Sequence, residues 1–334
     1  MQPLVPLVEI EIKSVKRPSI AVHGGAGDWS IDRDTETSVR RWIEEALISG
    51  YEILKRGGSS IDAVTEAVAT LEDSGIFNAG SGSALNALGY AELDAGVMEG
   101  YNMYSGSVAS VKSIKNPVRL ARLVMDNTSH VMLCCDGAEK LASALGLRLE
   151  GFSISERILN RYRDLVSKAL SSNQAVSPYI KGNIEVMRRM ITGSLGDTVG
   201  AVAIDREGRL AAATSTGGVW LKLPGRIGDS PIPGSGFYAD RHIACSATGL
   251  GEAIMTISLC RSIAIASRFL GSVAPAVAYT FEELESIPRF RGFAHAGVIV
   301  MEHSEKLYMT FNTRGMARGY ISSDTESLEV SIYR

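Results

Sequence analysis

The order of elements legible in the chain predicts an α+β fold, a layered sandwich with mostly antiparallel sheets. Strand-like segments fall into two blocks, each followed by helices. The clearest pair, 199–205 and 210–215, is joined by Arg206-Glu207-Gly208, a hairpin too short for the crossover that a parallel pair needs. The 334 residues are 45% hydrophobic and 21% charged, with 34 glycines, a balance that can bury a sizeable core.

From the amino terminus, residues 18–23 read as a β-branched buried strand running into a glycine-controlled turn at Gly24-Gly25-Ala26-Gly27. Val39, Trp42, Ile43, Ala46, Leu47 and Leu54 keep helical spacing until Gly57-Gly58 stops them, and Ser59 or Ser60 is placed to cap a second helix through Val64, Val68 and Leu71. Residues 77–89 are dense in Gly, Ser, Asn and Ala, which favours a tight loop with close backbone approaches. Strands follow at 90–98 and 106–111, helices at 117–126 and 137–145, and between these helices an apolar strand at 130–135. Residues 152–193 are more polar and only weakly periodic, the pattern of a surface excursion or linker, which delivers Thr198 to the start of the strand 199–205. Beyond the hairpin, 251–269 is helical, and 294–301, 306–312 and 328–333 read as strands.

Several function classes are disfavoured. Lys and Arg are scattered at a net charge of −3, so no basic stripe is present for a phosphate backbone. The longest apolar stretches, such as 294–301, fall far short of the roughly 20 residues of a spanning helix. Residues 1–17 alternate Val and Ile with Glu and Lys rather than following the order of a secretory signal, and a cytoplasmic protein is expected. Cys134, Cys135, Cys245 and Cys260 have neither metal-ligand spacing nor disulfide density, and are expected to be buried free thiols. No H-x-x-x-H pattern joins the five histidines. His23 is expected to be a hydrogen-bonded core histidine, Glu92 and Asp94 to be solvated or hydrogen-bonded strand residues, and Gly24 to Gly27 lack dinucleotide-site spacing.

The chemistry gathers at Thr198. A threonine hydroxyl is a weak nucleophile that needs a base, and its own α-amine can serve once the chain is cut in front of it. Such an amine has a pKa of about 7.7 to 8.0, suited to taking up and returning a proton near neutral pH. The runs Gly196-Asp197-Thr198-Val199-Gly200, Thr214-Ser215-Thr216-Gly217-Gly218, Gly225-Arg226-Ile227-Gly228-Asp229-Ser230 and Thr248-Gly249-Leu250-Gly251-Glu252 follow one another in order. With His23-Gly24-Gly25-Ala26-Gly27, Phe77-Asn78-Ala79-Gly80, Glu92-Leu93-Asp94-Ala95 and Phe311-Asn312-Thr313-Arg314-Gly315-Met316, they resemble the plant-type L-asparaginase and isoaspartyl aminopeptidase family of N-terminal-nucleophile hydrolases. The resemblance spans nearly the whole chain outside 152–193.

The resemblance implies a four-layer αββα sandwich over 1–334, one domain cut autocatalytically into an α subunit (1–197, with a variable linker at about 152–193) and a β subunit (198–334). It implies Thr198 as nucleophile supported by the Thr216 hydroxyl, with Thr248 and the Gly249 N–H as oxyanion hole. Arg226 and Asp229 then hold the substrate's α-carboxylate and α-ammonium, and Gly251 adds a backbone contact to the ammonium. A site gripping both charges admits only a side-chain amide to Thr198, hence hydrolysis of L-asparagine and β-aspartyl dipeptides. Asp197, Thr198 and Asn78 are the implied processing residues. Residues 71–82 align with the family's sodium loop, making the backbone oxygens of Leu71, Glu72, Ser74, Phe77, Ala79 and Ser81 the implied ligands of a structural Na+. No catalytic cofactor is implied, and the implied assembly is a homodimer of processed αβ units.

Two positions depart from many members. Asp197 stands where plant-type members often have Gly, and resembles glycosylasparaginases and threonine aspartases; Leu250 replaces a frequently polar residue. The Arg226 and Asp229 pair disfavours a threonine aspartase. A glycosylasparaginase-like amidase and an unprocessed non-catalytic relative are the alternatives.

Overall fold

The computed structural model describes residues 9–147, 155–171, 198–324 and 328–333. In chain order its strands are β1 (Ile10–Ser14), β2 (Ser19–Gly27), β3 (Leu93–Glu99), β4 (Tyr104–Val111), β5 (Met132–Cys134), β6 (Thr198–Ile204), β7 (Leu210–Thr216), β8 (Phe237–Ala239), β9 (Ile243–Gly249), β10 (Ala296–Glu302), β11 (Lys306–Phe311), β12 (Gly315–Ser322) and β13 (Leu328–Ser331). Its α-helices are α1 (Arg33–Lys55), α2 (Ser60–Asp73), α3 (Pro117–Asn127), α4 (Cys135–Ala144), α5 (Glu156–Ser171), α6 (Gly251–Ile257), α7 (Leu259–Leu270) and α8 (Val273–Ser286).

The strands form two sheets, of order β13-β12-β2-β6-β7-β3-β4-β5 and β1-β11-β10-β9-β8. The alternation of side chains along β6 builds the layers. Val199, Ala201 and Ala203 share a core with α1, α2 and α3, whereas Val202 and Ile204 join the core between the sheets. Leu259, Ile263, Val277 and Phe281 of α7 and α8 belong to that second core with the strands of the smaller sheet. The arrangement is α+β, and it places β6 at the centre of the larger sheet, against β9 of the smaller one. The helix ends follow their caps: Asp32 accepts from the Thr35 N–H at 2.8 Å, and Ser59 accepts from the Asp62 N–H at 3.2 Å.

The structure departs from the sequence reading at identifiable points. Gly24 to Gly27 is not a turn: β2 continues through it because β12 pairs alongside, Gly27 opposite Gly315 and Ala26 opposite Met316, and the glycine freedom is used at a register shift where Gly25 takes φ 106°. The helical stretch 251–269 breaks at Ser258, which is left-handed at φ 50° and ψ 54°. β5 runs parallel to β4 within an otherwise antiparallel sheet. Cys245 and Cys260 are buried free thiols, but Cys134, on the edge strand β5, and Cys135, the first residue of α4, are exposed. Within the linker region, α5 packs Ile158 into the core; the linker reading for 172–193 lies outside the described residues. β1, β8, β9, β12 and α8 were not read from sequence, although Val273, Val277, Phe281 and Leu284 carry the helical period of α8. Among the described residues no single helix is long and apolar enough to cross a membrane.

Candidate active site

Antiparallel pairing sets Thr198, the first residue of β6, opposite Thr216, the last of β7. Both are nearly buried, and the Thr198 hydroxyl donates to Thr216 Oγ1 at 3.3 Å. Thr216 Oγ1 also accepts from the Gly218 N–H at 2.9 Å and from Asn78 Nδ2 at 3.5 Å. Asn78 is fixed on both ends of its amide: Nδ2 donates to the Gly218 carbonyl at 2.6 Å, and Oδ1 accepts from the Ala84 N–H at 2.6 Å. The hydroxyl pair is thus held by a loop from the other half of the sequence, rather than by the ladder alone.

The chain after Thr216 carries the charged part of the site. Arg226 grips Glu252 in a fork, Nε to Oε1 at 3.0 Å and Nη2 to Oε2 at 2.9 Å, which fixes the guanidinium plane. Asp229 is 3% exposed. Burial pushes its carboxyl up to about 7, against the downward pull of Arg226. Its Oδ2 is buried without a hydrogen-bond partner among the described residues, an acceptor that a cationic ligand would satisfy. Both groups crowd Gly251: a Cβ there would lie 2.8 Å from Arg226 Nη2 and 2.8 Å from Asp229 Oδ1. Arg226 and Asp229 therefore converge on Gly251. Gly218, bonded to Thr216, connects this cluster to the hydroxyl pair, since a Cβ at Gly218 would lie 3.1 Å from Arg226 Nη1.

Thr248 and Gly249 close β9 just before Gly251. The buried Thr248 Oγ1 accepts from the Ala26 N–H at 3.3 Å, and Gly249 adopts φ 137°, a conformation that turns the chain sharply into α6. Glu92 and Asp94 are buried and hydrogen-bonded beneath these loops. Glu92 accepts from Asn86, Ser110 and the Gly225 N–H, and Asp94 from the N–H groups of Ser110 and Gly228. His23 is fully buried, with Nε2 at 2.9 Å from Ser246 Oγ across the two sheets; burial lowers its pKa to about 3, so it is neutral. The expectation of a hydrogen-bonded core histidine holds through Nε2, and the Thr198 backbone opposes the lowering of the pKa by burial.

A family model described as asparaginase matches residues 16–330. The chain belongs to the asparaginase family. Relatives include a plant-type L-asparaginase of Pyrobaculum calidifontis, 40% identical over 90% of this chain and 96% of that protein. An isoaspartyl peptidase/L-asparaginase of Xenopus laevis is 38% identical over 95% and 96%, and an isoaspartyl peptidase of Escherichia coli 38% identical over 94% and 96%. Every candidate site residue of this asparaginase-family chain lies within the matched span.

The loop implied to hold sodium lies at the end of α2, where Leu71, Glu72, Ser74, Phe77, Ala79 and Ser81 are gathered by turns around the 3-10 turn Gly80–Gly82. The backbone closes on itself there: a Cβ at Gly80 would come within 2.6 Å of the Glu72 carbonyl, and one at Gly82 within 2.0 Å of the Phe77 carbonyl. Three of the implied ligand carbonyls accept backbone hydrogen bonds within the loop, Leu71 from Ser74, Phe77 from Ala79 and Ala79 from Gly82. The side chain of Glu72 is buried, its carboxyl pushed up to about 8 by desolvation, with Oε1 accepting from the Val118 N–H at 3.1 Å. Asp197 lies outside the described residues. Two residues that support Arg226 were not assigned roles from the sequence. Glu252 orients Arg226, and the buried Lys222 donates to the Glu92 carbonyl at 2.7 Å, tying down the loop that leads to Arg226. The only sequence signal for Glu252 was its place in the Thr248-to-Glu252 run.

Proposed function

We propose that the chain is an autoproteolytic threonine amidohydrolase that releases ammonia from L-asparagine and hydrolyses β-aspartyl dipeptides. The names of its relatives support the substrate class. The observation that carries the reading is the paired Thr198 and Thr216 hydroxyls near a fixed arginine and a buried aspartate that face one glycine, the aspartate's Oδ2 having no hydrogen-bond partner among the described residues. In this reading the layers form the αββα sandwich of the N-terminal-nucleophile type, and cleavage before Thr198 divides the domain into 1–197 and 198–334.

The chemistry follows from the positions. The α-amine of cleaved Thr198 takes the hydroxyl proton as Oγ1 attacks the side-chain carbonyl carbon of the substrate. Thr248 Oγ1 and the Gly249 N–H donate to the oxygen that becomes negative. The proton passes to the departing nitrogen, which leaves as ammonia or as the amine of an amino acid, and water then hydrolyses the aspartyl ester on Thr198. Arg226 binds the α-carboxylate; Asp229 and the Gly251 backbone bind the α-ammonium. Asn78 and Asp197 belong to the processing step. Backbone oxygens of the 71–81 loop hold a structural Na+, and the processed units pair as homodimers.

Denaturing electrophoresis with intact mass analysis tests the central claim. A fragment beginning Thr198-Val199-Gly200 is expected from the wild type. Thr198→Ala should stop both cleavage and hydrolysis, while Thr198→Ser should process slowly. An active, uncleaved Thr198→Ala protein would refute the mechanism.

A further inference from the structure

The geometry points to a leaving-group subsite built by α5, in which Arg157 and Arg161 receive the free α-carboxylate of the amino acid released from a β-aspartyl dipeptide. This assignment rests on the amidohydrolase reading and names the part of the substrate that reading leaves open.

A cavity of about 150 Å³ has Asp28, Trp29, Asn78, Arg157, Arg161 and Trp220 among its walls. It shares none of its lining with Arg226, Asp229 or Gly251, yet it reaches Asn78, whose amide contacts Thr216, the hydroxyl partner of Thr198. It therefore approaches the hydroxyl pair through Asn78, by residues other than those that hold the aspartyl half of the substrate. Neither arginine has a carboxylate partner among the described residues. Arg157 donates to the Gly75 carbonyl, and Arg161 lies 5.1 Å over the Trp220 ring. The anchoring of each restricts its rotamers, so less entropy is lost when a ligand binds. The carboxylate in the lining, Asp28, is already engaged, accepting from Ser30 Oγ at 2.7 Å and lying 3.6 Å from Arg314.

The chemistry of the two substrates differs at this end only. Asparagine releases ammonia, which carries no anion and needs no cavity. A β-aspartyl dipeptide releases an amino acid, with a carboxylate for the guanidinium groups and a side chain for the indoles of Trp29 and Trp220. Two arginines without a carboxylate partner among the described residues, beside two indoles, match that leaving group and have no use for ammonia.

The test compares L-asparagine, β-aspartyl-leucine and β-aspartyl-leucinamide as substrates of the processed wild type, the Arg157→Gln/Arg161→Gln variant and the Arg157→Lys/Arg161→Lys variant. The wild type is expected to prefer the free acid over the amide. The Gln variant should lose kcat/KM for the free acid on the order of tenfold to a hundredfold, with little change for the amide or for asparagine; the Lys variant should keep part of the preference. Turnover of asparagine by the Gln variant shows that the protein is folded. An unchanged acid-to-amide ratio, or an equal loss on all three substrates, overturns the subsite while leaving the amidohydrolase reading in place. A processed wild type inert towards all three overturns that reading, and the subsite with it.

Discussion

Asp229→Asn should stabilise the substrate-free protein while destroying its affinity for substrate. Burial raises the Asp229 carboxyl from 3.8 to about 7, because desolvation outweighs the attraction of Arg226. The folded state therefore keeps a proton that the unfolded chain releases above pH 4. Between pH 4 and 7 the folded state binds the extra proton, so stability falls with rising pH, by about 1.4 kcal/mol per unit. Over the three units this amounts to roughly 4 kcal/mol, after which the contribution is flat. Asparagine in its place mimics the neutral acid and removes the decline. The assay is urea denaturation of substrate-free protein from pH 4.5 to 8.5, in the Thr198→Ala background so that a single chain unfolds. The advantage of the Asn variant should be small at pH 4.5 and grow to a few kcal/mol by pH 7.5. In active protein the wild-type KM should rise below pH 7 as Asp229 takes up its proton and loses the substrate ammonium, whereas the Asn variant should have a high KM throughout. Parallel stability curves would refute the reasoning, and would mean that the ion pair with Arg226 compensates for burial.

The other expectations concern the same cluster and the edge of the larger sheet. Arg226→Ala should leave processing intact on a gel and raise KM on the order of a hundredfold, because the α-carboxylate loses its planar partner; arrested processing with unchanged KM would assign Arg226 another role. Gly251→Ala puts a methyl 2.8 Å from both Arg226 Nη2 and Asp229 Oδ1, so steady-state kinetics should show a KM increase of about tenfold or more, and normal KM would show that the ligand does not pass Gly251. Thiol titration of the native protein should find Cys134 and Cys135 reactive and Cys245 and Cys260 protected until denaturant is added; four equally reactive thiols would contradict the packing of the second core.

Where local pattern and tertiary context agree, the sequence sufficed. The helical spacing of Val39 to Leu54, the Ser59 cap and the hairpin after Ile204 appear in the structure close to where the residues placed them. The motif runs also singled out Arg226, Asp229 and Gly251, and the structure brings atoms of the first two close to the third. Local pattern failed where a partner distant in sequence decides the conformation. Gly24 to Gly27 is a strand because β12, some 290 residues on, pairs with it. Cys134 and Cys135 look like core residues in an apolar run, and are exposed where the edge strand β5 passes into α4.

The amino-acid sequence by itself determined the residue types of the chemistry: a threonine at a strand start, an arginine and an aspartate three residues apart, and a glycine where no side chain fits. Only the tertiary structure decided that Glu252 fixes Arg226, that burial raises the Asp229 carboxyl to about 7, and that Arg157, Arg161 and Trp220 line one cavity with Asn78. Residue identity sets what a group can do, whereas its charge state and partners depend on desolvation and on distances of a few ångströms between segments far apart in the chain, and these exist only once the two sheets have packed.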